Sequence, residues 1–198
     1  MEKGVRMINE ALLDLREVEG KGMSDRIMTE DDYYALPDDV RAELIDGRLF
    51  YMESPGLTHQ KLLGRLYKVI SNYIDSKNGN CQVIMDFDMK LDTAEDTIVR
   101  PDISIICDPD KLTERRCEGA PDWIIEIVSP SNPKHDYLTK LELYQRTGVR
   151  EYWIVDPRKK TVTAYRLDEN DFDMTCYSFQ DKIKVGIYDD LMIDFAVI

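Results

Sequence analysis

Three short runs limit this chain more than any other feature: IVRPDISIIC at 98–107, WIIEIVS at 123–129 and EYWIVD at 151–156. Each is apolar and β-branched, and each is shorter than a buried helix would be. Runs of this kind read as strands covered on both faces, so helices are needed above and below their sheet. Two of the runs carry a carboxylate inside them, Asp102 and Glu126. Burying an ionised carboxyl costs several kcal/mol unless a partner compensates it. Whatever this chain folds into, it has to provide for those two groups.

The remaining segments supply the helices. Residues 6–19 have helical apolar spacing (Met7, Ile8, Leu12, Leu13, Leu15, Val18) and end at a Gly-rich break over 19–22. We read residues 1–27 as an N-terminal helical extension and 28–198 as the domain. Thr29, with Asp32 three residues on, forms a capping box for a short helix over about 30–36, ahead of Pro37. Residues 41–53 read as two strands around a tight turn at Asp46-Gly47. From 57, a stripe of Leu62, Leu63, Leu66, Ile70, Tyr73 and Ile74 marks a long helix that Gly79 closes. Residues 81–92 alternate, with Val83, Met85, Phe87, Met89 and Leu91 on one side, as in a half-buried strand. A helix over 134–147 ends at Gly148. TVTAYRL, reached through the turn PRKK, is a further strand, and the tail from 174 reads as two or three short strands. Together these predict an α/β domain with a mixed central sheet flanked by helices.

Composition narrows the function. The chain has 198 residues, 39 acidic and 26 Lys or Arg, for a net charge of −13. That argues against broad, nonspecific attraction to nucleic acid, though not against a narrow basic groove. It suits a cation site, where carboxylates gather. The four cysteines, at 81, 107, 117 and 176, show no CxxC spacing. A thiolate zinc site is therefore not expected, and we read them as reduced, mostly buried thiols of a cytoplasmic protein. No apolar run approaches the ~20 residues of a membrane span, and the N-terminus lacks a signal-peptide core.

If the strands bearing Asp102 and Glu126 are sheet neighbours, both carboxylates can converge. With carbonyl oxygens and water they would make an oxygen-rich site for Mg²⁺ or Mn²⁺. Lys140 lies 14 residues after Glu126 on the following helix. A lysine beside two carboxylates can orient attacking water and offset charge on a phosphorane-like transition state.

The ordered segments RPDISIICDP, PDWIIEIVSPSN and HDYLTKLELYQRTGVREYWIVDP resemble the Uma-type family of bacterial "putative restriction endonucleases", within the PD-(D/E)XK nuclease superfamily. MTEDDYYALPDD and ELIDGRLFYMESPG, with His59 shortly after, match as well, so the likeness spans roughly residues 28–195. The resemblance implies a restriction-endonuclease-like fold and metal-dependent hydrolysis of phosphodiester bonds in nucleic acid, DNA first. It also implies a homodimer, since superfamily nucleases often work as pairs. Asp102 matches the Asp of the PD element and Glu126 the acidic residue of (D/E)XK. The lysine expected two residues later is absent, because position 128 is Val; Lys140 matches its displaced place on the helix. Glu43 matches an N-terminal acidic residue often set near the metal, and the Ile127 carbonyl is implied as a further ligand. His59 is a candidate substrate contact.

Structural alternatives stand beside these roles. Asp102 could cap a strand end, Glu126 could sit in a buried ion pair, and Lys140 could be solvated. Glu43 could pair with Arg41 or Arg48, and His59 could cap its helix. The rival function is a catalytically silent binding or regulatory module on the nuclease fold. One basic rim formed by Arg100, Lys134, Lys140, Arg65, Lys61 and Lys68 would favour the enzyme; scatter would favour the module.

Overall fold

A computed structural model describes residues 27–91, 96–129, 134–168 and 171–198. The helix expected over 6–19 lies outside the described residues. In chain order the elements are α1 (Glu30–Tyr34), β1 (Ala42–Ile45), β2 (Arg48–Tyr51), α2 (Leu57–Lys77), β3 (Gln82–Met85), β4 (Met89–Lys90), β5 (Ile98–Val99), β6 (Ile103–Ile106), β7 (Cys117–Glu118), β8 (Trp123–Ile127), α3 (Lys134–Thr147), β9 (Glu151–Asp156), β10 (Thr161–Asp168), β11 (Asp171–Ser178), β12 (Lys182–Lys184) and β13 (Met192–Asp194).

Six strands form a mixed sheet in the order β11-β10-β9-β8-β6-β3. Only β8 and β9 run parallel within it, and α3 is the crossover that such a pair requires. Strand alternation then sorts the core. Trp123, Ile125 and Ile127 of β8 pack with Leu62, Leu66, Ile70 and Ile74 of α2. Ile124 of the same strand packs with Leu143 and Tyr144 of α3 on the other face. Trp123 and Trp153 meet edge to face at 4.8 Å on the α2 side. The β12–β13 ribbon joins that side through Ile183 and Ile193.

The sequence predicts one central sheet, but a second one is present, of five strands in the order β2-β1-β5-β4-β7. Two segments expected to be single strands each divide between the sheets. The 81–92 run breaks after β3 at Asp86, whose φ of 49° is left-handed, and resumes as β4. The 98–107 run breaks at Arg100-Pro101, so β5 belongs to the smaller sheet and β6 to the larger. Proline has no N–H for a ladder, which makes it a natural point of transfer. Asp102 therefore stands just before β6, half-buried, and is not enclosed in a strand. Glu126, within β8, is buried as expected.

The local signals match the structure closely. Thr29 and Asp32 form the capping box, though α1 stops at Tyr34. Asn78, left-handed at φ 51°, terminates α2 one residue before Gly79. The β1–β2 hairpin turns at Asp46-Gly47, both with positive φ (49° and 72°). The cysteines need correcting. Cys81 and Cys107 are joined by a disulfide, because the β3–β6 register that pairs Gln82 with Ile106 places them opposite one another. Cys117 is a buried free thiol and Cys176 an exposed one. Among the described residues no helix is long and apolar enough to cross a membrane.

Gly47 offers a direct check on the hairpin. A Cβ at its left-handed φ would be strained and would run into the Ile27 side chain. Gly47→Ala is expected to lower stability by about 1 kcal/mol or more, read as a fall in the urea midpoint with an unchanged slope.

Candidate active site

Three elements deliver charged side chains to one buried point. On β1, Ala42 and Leu44 face the α1 side, while Ile45 joins the α3 side; Glu43 shares the face of Ile45. On β8, Glu126 shares the face of Ile124. Lys140 comes down from α3 between them. Its ammonium donates to Glu43 Oε1 at 2.9 Å and approaches Oε2 at 2.8 Å. It also donates to Glu126 Oε1 at 2.9 Å. Lys140 and Glu43 are each 3% exposed and Glu126 6%. The backbone N–H of Arg100 donates to Glu43 Oε1 at 2.9 Å, so the link between the sheets is tied to the same cluster.

Asp102 adjoins this group. Its Oδ2 accepts the Ile127 N–H at 2.7 Å and lies 3.0 Å from His59 Nε2. His59 is buried on α2. The helix cap is Gly56, with no side-chain bond, so His59 does not cap it. Burial works against a charged imidazole, yet Asp102, Glu126 and the Ile127 backbone together raise the His59 pKa.

The structure thus brings together Glu43, His59, Asp102, Glu126, Ile127 and Lys140. Of the structural alternatives, the buried ion pair of Glu126 is realised, and its partner is Lys140 itself. Glu43 pairs with Lys140 and with neither Arg41 nor Arg48. Three carboxyl groups thus gather around one ammonium and one imidazole. Burial is the main reason the Glu126 carboxyl is pushed up to about 8; Lys140 opposes this, and Asp102 and Glu43 add to it. Sequence reasoning missed Tyr144, whose hydroxyl donates to Glu126 Oε1 at 3.2 Å. Its spacing of four from Lys140 places both on one helix face, which was a readable signal.

These groups lie along a groove of about 930 Å³, lined also by Arg41, Arg48, Phe50, Leu63 and Met85. Of the six cations proposed as a basic rim, the five whose side chains are described do not form one. Lys140 is enclosed between glutamates. Arg100 turns to Asp88 at 3.2 Å and Asp86 at 3.6 Å, and Arg65 reaches the Ile198 carbonyl. Lys61 and Lys68 are not among the groove's lining residues. The side chain of Lys134 lies outside what is described.

A mixed sheet with a crossover helix over it, and carboxylates gathered beside that helix, is the architecture of a nuclease-like α/β protein. The family model described as "Putative restriction endonuclease", Uma2, matches residues 30–185, and the chain belongs to that family. It is 25% identical over 146 residues to an uncharacterized protein, slr1290, of Synechocystis sp., covering 72% of this chain and 75% of that one. The crystal structure of "a putative nuclease belonging to DUF820" from Anabaena variabilis has the same fold. Its TM-score is 0.72 at 21% identity, over 85% of this chain and 96% of that one.

Lys140→Ala would leave Glu43 and Glu126 facing each other without their ammonium. We expect a loss of about 3–5 kcal/mol at neutral pH. Glu126 already has a raised pKa, and the substitution raises it further. In the wild type its ionisation destabilises the fold as pH climbs from the ordinary glutamate value of 4.5 through about 8, and in the variant this loss continues beyond that point. Both proteins share that loss up to about 8, so the added deficit opens above it. Urea melts at pH 6 and pH 9 should show the larger deficit at pH 9; an equal deficit at both would contradict the charge argument.

Proposed function

We propose that this protein is a metal-dependent endonuclease that hydrolyses phosphodiester bonds in nucleic acid, with DNA the first substrate to test. The observation that carries the reading is the convergence of Asp102 and Glu126, beside Glu43 and one ammonium, at the floor of a groove. Asp102 Oδ1 and Glu126 Oε2 have no protein partner among the described residues, because the bonds from His59, Ile127, Lys140 and Tyr144 all fall on the other oxygens. Such a donor set, all oxygen, fits Mg²⁺ or Mn²⁺ and not a soft metal. Among the described residues no three His, Cys, Asp or Glu side chains are grouped to hold an ion by themselves. Mg²⁺ keeps several waters and is held by one or two carboxylates. Asp102 and Glu126 would hold it, with the Ile127 carbonyl as a further oxygen.

When bound, the ion supplies Lewis-acid polarisation of a phosphoryl oxygen and makes nearby water more acidic. The chain's residues do the rest. His59 and the Ile127 N–H fix the orientation of Asp102. Lys140 and Tyr144 fix Glu126. The enclosure of Lys140 between Glu43 and Glu126 moves its role from handling water toward holding both carboxylates and keeping positive charge beside the phosphate.

The scatter of the expected basic rim supports a second reading, a nuclease-fold binding or regulatory module that cuts nothing. Plasmid cleavage separates the two. Wild type should nick supercoiled plasmid or cut single-stranded circular DNA with Mg²⁺ or Mn²⁺, and Asp102→Ala and Lys140→Ala should cut neither, provided calorimetry shows each variant folded. Equal cutting by all three would remove the proposed site. Failure to cut by wild type, together with no Mn²⁺ binding, would establish the module.

A further inference from the structure

The groove beside the carboxylates is built for something other than a phosphate ladder. β2 is the edge strand of the five-stranded sheet, and its register sets Phe50 directly across from Glu43 and Arg48 across from Ile45. Directly opposed residues share a face, their Cβ atoms about 5 Å apart. The hairpin therefore presents Phe50 and Arg48 on the side that carries Glu43 to Lys140. Phe50 is 41% exposed and Met85, another lining residue, 38%, so the groove offers accessible apolar surface beside the buried charge cluster. The Arg48 side chain is exposed and makes no ion pair or hydrogen bond among the described residues, whereas Arg41, also lining the groove, is held by Asp86 at 2.6 Å.

Charge restricts the occupant. Acidic side chains outnumber Lys and Arg along the groove, through Glu43, Asp46, Glu53, Asp86, Asp102 and Glu126. A duplex lying along it would set its two rows of phosphates against these acids with little to neutralise them. An unpaired nucleotide meets a different surface. It has an apolar face for Phe50 and one adjacent phosphate for Arg48.

We infer that the Phe50–Arg48 face of the hairpin is a base-stacking subsite, and that the substrate is single-stranded or locally unpaired nucleic acid. This rests on the proposed function only for where the phosphate is cut; the stacking itself needs no metal. Phe50 is here a specificity residue and takes no part in chemistry.

The test is fluorescence anisotropy with labelled 20-nucleotide strands of DNA and of RNA, and the corresponding DNA duplex, without divalent metal at several salt concentrations. Wild type should bind at least one single strand about tenfold or more tightly than the duplex, and the DNA and RNA arms show which sugar is preferred. Phe50→Ala should lose about tenfold in single-strand affinity, within the range for one stacked base, at an unchanged melting temperature and salt slope. Phe50→Trp should keep the affinity, and Arg48→Ala should lower the salt slope by about one. Duplex binding equal to single-strand binding, wild-type affinity in Phe50→Ala, or no binding of any strand would each overturn the inference. Mn²⁺ titration of the same samples keeps the two ideas apart. Metal binding without strand binding sinks only the stacking subsite, and Phe50-dependent strand binding without metal binding sinks only the metal-dependent nuclease.

Discussion

The fold turns on one ammonium group. Lys140 reaches from the crossover helix to a glutamate in each of the two sheets, Glu43 on β1 and Glu126 on β8. Without it, two buried carboxylates would repel across the point where the sheets meet. With it, the charges are partly balanced, and the imbalance that remains gives the groove its character. A replacement by apolar residues at all three positions could be as stable or more so. Stability alone is therefore a weak reason to keep such a cluster, and a ligand that needs negative charge is a better one.

The link Arg100-Pro101-Asp102 couples architecture to site. It carries the chain from the smaller sheet to the larger. Within three residues it gives Glu43 a backbone hydrogen bond and sets Asp102 against the amide of Ile127. The proline that ends one ladder thus also fixes where a carboxylate starts the next. The sheet junction and the acidic cluster are the same place.

What could be read from the sequence was local. The capping box at Thr29 and the Asp46-Gly47 turn depend on a few neighbouring residues, and the helix over 134–147 on its flanking strands and Gly148; all were legible. Glu126 stood out because a carboxylate within an apolar run is costly anywhere. Glu43 and Ile127 were singled out by likeness to a family, since nothing in their own spacing distinguishes them; Lys140 was noticed on the helix after Glu126 and given its role by the same likeness. The division of 81–92 and 98–107 between two sheets was not visible, because alternation continues through a break in the ladder. The Cys81–Cys107 bond and the scatter of the basic side chains depend on register and on long-range pairing, which a single sequence does not encode in any short window.

The geometry of α3 carries a consequence for how this chain can vary. Lys140 and Tyr144 both reach Glu126 because they are one helical turn apart on the helix that crosses over between two parallel strands. One residue inserted ahead of them within α3 would rotate both by about 100°, taking the ammonium and the hydroxyl away from the carboxylate together. The same insertion after Gly148, beyond the helix, would leave their angle untouched. Length changes should therefore be tolerated outside α3 and excluded within it, so the helix acts as a ruler for the site as well as a cover for the sheet.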